Sequence, residues 1–123
     1  GKTIGILGLS FKPNTNDIRE SPAVHIIEGL LDIGANIRVY DPVAMDDTKS
    51  VLGQRVTYCS DAYDAASNAD AIILVTEWNQ FRNLQLERLK GLLKHPVFID
   101  LRNVYEPDRM RKSGFDYYSV GRS

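Results

Sequence analysis

Two cations in this sequence sit just behind short apolar runs. Lys12 follows Ile4-Gly5-Ile6-Leu7, and Arg102 follows Val97-Phe98-Ile99. Side chains at such places suit an anionic ligand such as a diphosphate, lysine as a point charge and arginine as a planar fork that meets two oxygens at once. Asp41 closes a third run, Asn36-Ile37-Arg38-Val39-Tyr40, where dinucleotide-binding sheets place a ribose-binding acid. The glycines argue against that use. Gly5 and Gly8 give G-x-x-G rather than G-x-G-x-x-G, and a long polar loop separates them from the next helix. The standard NAD seat is therefore not expected within this chain. His25, His95 and Cys59 share no ligand-like spacing, so no metal site is expected. Tyr58-Cys59-Ser60 offers no basic neighbour to activate the thiol, and Cys59 reads as a bystander.

These groups need elements to position them, and the hydrophobic pattern supplies an alternation. Residues 4–7, 36–40, 55–58, 71–75, 97–99 and 117–120 read as strands. Ser21-Pro22 reads as a cap and first turn ahead of Ala23, Ile26, Ile27, Leu30 and Leu31 at helical spacing, with Gly34 as the stop. Further helices are predicted over about 45–52, about 61–68, through Leu86, Leu89, Leu92 and Leu93, and over about 107–112. Trp78 and Phe81 read as packing residues at a strand-to-helix turn. Strands alternating with helices define an α/β chain, and right-handed crossovers make a Rossmann-like three-layer sandwich the default, about six mostly parallel strands with helices on both faces. In such a sheet the polar clusters Gly8 to Lys12, Asp41, Thr76-Glu77-Trp78 and Asp100 to Asn103 all follow strand ends and share one rim.

Composition bounds the function class. The 123 residues suit one domain, 1–123, and 15 basic against 16 acidic residues leave a net charge of -1. A basic surface that coats nucleic acid is not expected, and no apolar run approaches a membrane span. One cysteine allows no internal disulfide, which fits a cytoplasmic, reducing setting.

Several motifs together carry a resemblance. Gly8-Leu9-Ser10-Phe11-Lys12-Pro13-Asn14-Thr15-Asn16-Asp17-Ile18-Arg19-Glu20-Ser21-Pro22 resembles the opening of the C-terminal, UDP-binding domain of the UDP-glucose/GDP-mannose dehydrogenase family. Thr76-Glu77-Trp78-Asn79-Gln80-Phe81, Asp100-Leu101-Arg102-Asn103-Val104-Tyr105 and the closing Gly114 to Arg122 segment resemble later signatures of the same domain, in the same order. The likeness to bacterial UDP-glucose 6-dehydrogenases is strongest in the Thr-Glu-Trp and Tyr-Tyr-Ser-Val-Gly-Arg elements. It implies that Phe11, Lys12 and Arg102 contact the UDP-sugar and that Arg19 reaches toward NAD held mainly by a domain outside this chain. It also implies a homodimeric parent that oxidises UDP-glucose to UDP-glucuronate with two NAD, through a cysteine that this chain lacks. With no initiator methionine before Gly1, the chain is expected to be an excised C-terminal part, inactive alone, with no catalytic residue of its own.

Other readings stand beside these. Lys12 as a solvated loop residue, Arg102 paired with Asp100 or Glu106, and Arg19 paired with Asp17 or Glu20 are the structural alternatives. Leu101 stands where the family often has glycine, and a side chain there resists positive φ. A UDP-N-acetylhexosamine or GDP-mannose dehydrogenase is an alternative parent, and a non-catalytic Rossmann-like nucleotide-binding module is an alternative of another class.

Overall fold

A computed structural model of the chain describes residues 1–10, 14, 17, 18 and 21–120. Six strands form one sheet: β1 (Thr3–Leu7), β2 (Asn36–Tyr40), β3 (Thr57–Tyr58), β4 (Ala71–Leu74), β5 (Val97–Asp100) and β6 (Asp116–Ser119). Their spatial order is β3-β2-β1-β4-β5-β6, and every neighbouring pair is parallel. The helices are α1 (Pro22–Asp32), α2 (Met45–Leu52), α3 (Ala62–Ala66), α4 (Asn79–Arg82), α5 (Leu86–Leu92) and α6 (Pro107–Lys112).

Local chemistry sets the helix ends. The Ser21 hydroxyl accepts from the Ala23 N–H at 3.2 Å, and Pro22 supplies a first-turn φ with no N–H to satisfy. At the other end Gly34 takes φ +89°, its N–H bonding Leu31 O at 3.0 Å while the Ala35 N–H bonds Leu30 O at 3.0 Å. That paired closure is a Schellman motif. Helix α6 repeats the scheme, with Glu106 as cap, Pro107 as first residue and Gly114 at φ +95°.

Alternation along the strands builds two cores. Leu7, Ile72, Leu74, Phe98 and Tyr117 face α3 to α6, whereas Ile6, Ile37, Val39 and Ile73 face α1 and α2. The three-layer expectation holds. The α3 connection carries the chain from the β3 edge back across β2 and β1 to start β4, so strand order reverses between β1 and β4. Gly5 makes that crossing close. A Cβ on Gly5 would stand 2.7 Å from Ala65 O and 2.7 Å from Ile72 Cδ1. The alanines of α3 and this glycine are what let helix and strand touch.

Differences from expectation are local. The third strand shrinks to two residues because Gly53–Arg55 forms a 3-10 turn. Helix α3 ends at Ala66, and β6 begins one residue earlier than its apolar pattern. Helix α4 was not expected, since four residues are too few to show a helical period.

Candidate functional site

Because all six strands run the same way, the carboxyl ends of β2, β1, β4 and β5 lie side by side, and their loops form a continuous rim. Three consecutive residues behind β4 tie this rim together. The Thr76 hydroxyl donates to Ser10 O at 2.7 Å, reaching the β1 loop. The Glu77 carboxylate accepts from Arg102 Nε at 2.8 Å and from Nη2 at 2.9 Å, reaching the β5 loop. Trp78 Nε1 donates to Asp41 Oδ2 at 3.2 Å, reaching the β2 end. Thr-Glu-Trp is thus the junction of four strand ends.

Two buried aspartates hold the loops from below. Asp41 has no exposed surface. Besides Trp78, its Oδ2 takes the N–H groups of Leu9 at 2.8 Å and Ser10 at 3.2 Å and the Ser10 hydroxyl at 3.4 Å; its Oδ1 takes those of Val43 and Ala44, each at 2.9 Å. Asp100, equally buried, takes the Arg102 N–H at 3.0 Å on Oδ1, and on Oδ2 the N–H groups of Val104 at 2.8 Å and Tyr105 at 3.0 Å with the Tyr117 hydroxyl at 2.7 Å. Both carboxylates are spent on the chain itself.

That arrangement bears on dinucleotide binding at the β1 and β2 ends. Asp41 has no lone pair to offer a ribose. Gly8, at φ +99°, does not open a cradle, because a Cβ there would stand 2.5 Å from Thr76 Cβ and 2.5 Å from Thr76 N. Helix α1 starts at Pro22, far along the chain from the β1 end. Among the described residues, Asp41, Gly8 and the start of α1 do not form the standard NAD seat.

Of the expected contact residues, Arg102 stands on the rim. Its partner is neither Asp100 nor Glu106 but Glu77, which lines a cleft of about 460 Å3 together with Asn14, Trp78, Asn79, Gln80 and Arg82. Asp100 instead binds the Arg102 main chain. Leu101 is not among the positive-φ residues, whereas Asn103 in the same loop takes φ 55°, so the leucine causes no backbone strain. Phe11, Lys12 and Arg19 lie outside the described residues. Trp78 and Phe81 are buried, as expected of packing residues, and Trp78 also forms part of the cleft wall. Cys59 is buried, its Sγ 3.8 Å from Thr57 O, and burial pushes its thiol pKa up, the opposite of an activated nucleophile.

Fold and rim together define a doubly wound α/β domain with a loop-built rim at the carboxyl ends of its strands. The chain belongs to the UDP-glucose/GDP-mannose dehydrogenase family: residues 5–107 match its UDP binding domain. The UDP-glucose 6-dehydrogenase of Rhizobium meliloti (strain 1021) is 45% identical over 122 residues, covering 99% of this chain and 28% of the relative. UDP-glucose 6-dehydrogenase TuaD of Bacillus subtilis (strain 168) is 43% identical over 99% of this chain and 26% of the relative. The chain thus spans little more than a quarter of these relatives. Among solved structures, a UDP-glucose dehydrogenase from Pyrobaculum islandicum superposes with a TM-score of 0.81 at 33% identity, over 100% of this chain and 26% of that one. An NDP-N-acetyl-D-galactosaminuronic acid dehydrogenase from Methanosarcina mazei Go1 gives 0.84 at 30% identity, over 100% of this chain and 25% of that one.

Proposed function

We propose that this chain is the nucleotide-sugar-binding domain of an NAD-dependent UDP-glucose 6-dehydrogenase, which oxidises UDP-glucose to UDP-glucuronate in two steps. The observation that carries the reading is identity of 45% to a UDP-glucose 6-dehydrogenase over 99% of this chain. In this reading Arg102 and Lys12 grip the diphosphate, Phe11 packs on the nucleotide sugar, and Arg19 extends toward NAD held by a second domain. The cysteine nucleophile belongs to that other part of the protein, so this domain binds and closes rather than reacts. A cytoplasmic homodimer goes with the same reading.

The test is made on the full-length dehydrogenase. Lys12→Ala is expected to weaken UDP binding in calorimetry roughly ten- to a hundredfold, the range of one charge-assisted contact. Unchanged affinity overturns the role of Lys12. A related parent acting on an N-acetylated sugar is favoured by one observation, the TM-score of 0.84 to the Methanosarcina mazei enzyme. A substrate panel of UDP-glucose, UDP-N-acetylhexosamines and GDP-mannose separates the readings by their kcat/KM.

A further inference from the structure

We propose that Glu77 is a positioning residue that holds the Arg102 guanidinium in one orientation and so presents its end-on edge to the ligand diphosphate. The inference rests on the reading of Arg102 as a diphosphate contact. The geometry is side-on and bidentate: Nε and Nη2 of Arg102 both reach the Glu77 carboxylate, at 2.8 and 2.9 Å. That occupies one edge of the fork. The end-on edge, made by one Nη1 proton and the second Nη2 proton, and the remaining Nη1 proton on the Cδ side carry no hydrogen bond among the described residues. A planar guanidinium fixed this way can meet a second anion without breaking its first pair.

Both ends of the arrangement are anchored. Arg102 is held at its main chain by buried Asp100, at 3.0 Å. Glu77 stands between two residues that are themselves tied down, Thr76 to Ser10 O and Trp78 to Asp41. Its side chain is 20% exposed and that of Arg102 is 35% exposed, so the pair is partly shielded from water. A long arginine side chain loses much rotamer freedom when it is ordered. Here that loss is met by folding, before any ligand arrives, and binding is correspondingly favoured.

Electrostatics alone predicts the contrary. A carboxylate beside a diphosphate site repels the ligand, so its removal would tighten binding if charge were the dominant effect. A latch that lets go of Arg102 on binding predicts the same sign. The bidentate pair and its anchored ends favour positioning, because releasing Arg102 would break two charge-assisted bonds while the free edge demands no such break.

The experiment is a double-mutant cycle in the full-length dehydrogenase, reading the Kd of UDP by calorimetry and the KM and kcat for UDP-glucose and NAD. Arg102→Ala is expected to weaken UDP roughly ten- to a hundredfold. Glu77→Ala is expected to weaken UDP and raise the UDP-glucose KM by about three- to tenfold, with the NAD KM unchanged. In the Arg102→Ala background, Glu77→Ala is expected to add nothing. Glu77→Gln keeps the size and one acceptor oxygen, and it is expected to fall between wild type and Glu77→Ala even if the alanine variant folds poorly. Wild-type UDP affinity in Arg102→Ala overturns the assignment of Arg102 itself. Weak binding there, together with equal or tighter binding in both Glu77 variants, overturns the positioning role alone. A Glu77→Ala loss that persists undiminished without Arg102 also overturns it, since Glu77 would then act through something other than that arginine.

Discussion

Trp78 Nε1 donates to Asp41 Oδ2 at 3.2 Å, joining the end of β4 to the end of β2 over the top of β1, which lies between them. The bond makes an interior aromatic into a cross-tie. It also supplies a donor to a buried carboxylate whose other partners are main-chain N–H groups and the Ser10 hydroxyl. The loop that these groups fix, Leu9 and Ser10, leads directly into Phe11 and Lys12. Asp41 therefore acts on the rim by fixing Leu9 and Ser10, the residues that precede the expected Phe11 and Lys12 in sequence.

Asp41→Asn is expected to destabilise the domain by about 3 kcal/mol or more. The amide nitrogen must replace either Oδ1 or Oδ2, and both oxygens face N–H donors, so neither flip satisfies the site. Trp78→Phe removes one donor and part of a buried ring system, and it is expected to cost at least about 1.5–3 kcal/mol, the range of a hydrogen bond to a charged acceptor, with a further cavity cost. Urea unfolding of the three proteins measures both. An Asn variant as stable as wild type would show that the carboxylate is not what holds the loops.

Gly8 and Gly34 both take positive φ, but they sit in different surroundings. A Cβ at Gly34 meets nothing within 4 Å, whereas a Cβ at Gly8 meets Thr76 Cβ and N at 2.5 Å. Gly34→Ala is expected to cost about 1–3 kcal/mol from backbone strain alone. Gly8→Ala adds a clash with the Thr76 main-chain N and with its Cβ, neither of which a χ rotation moves away, and it is expected to lose several kcal/mol more, enough to unfold a domain of ordinary stability. Circular-dichroism melts compare them. Equal losses would mean that the approach of the β1 loop to Thr76 relaxes freely.

The rim could be foreseen because polar clusters behind apolar runs must share an edge once the strands are parallel. Ser21, Pro22 and Gly34 announced α1 through chemistry that acts within a few residues. Pairing across loops was harder to see. Glu77 and Arg102 are 25 residues apart in sequence. They meet only because β4 and β5 are neighbours in a register that sets Leu74 beside Asp100. That register, with an acid just past one strand and an arginine just past the next, is the signal that points to the pair. Asp41 was half legible: its place at a strand end marked it as important, but only the fold shows its lone pairs already taken. The G-x-x-G spacing departs from the dinucleotide fingerprint. The structure gives both glycines other work, Gly5 under α3 and Gly8 against Thr76.

Cys59 is expected to resist alkylation. Its thiol is buried and burial holds its pKa above the ordinary value, so little thiolate forms near neutral pH and little of it is reachable. Iodoacetamide at pH 7.5 is expected to modify the folded chain at least about a hundredfold more slowly than the urea-unfolded chain, because reaction waits for opening. Mass spectrometry of timed samples gives both rates. Equal rates would place the sulfur at the surface and reopen its role.

Two carboxylates away from the rim are expected to contribute to the acid sensitivity of the fold. The Ser60 main-chain N–H, at 2.9 Å, is the chief reason that Asp64 titrates below its ordinary range, and Arg38 adds to it. The Thr3 N–H, at 2.8 Å, does the same for Asp70. Unfolding returns both to about 3.9. Since the unfolded chain then binds more protons, their contribution is fully present above that value and drains away as pH falls through the lower folded pKa values. The melting temperature is therefore expected to hold between pH 7 and 5 and to fall steeply below about pH 4. The Asp64→Asn, Asp70→Asn double variant keeps a carbonyl to accept each N–H but has no proton to gain. Its stability at neutral pH is expected to be lower, and its decline between pH 4 and pH 2.5 shallower, than that of the parent. Parallel melting curves over that interval would assign the acid sensitivity to other groups.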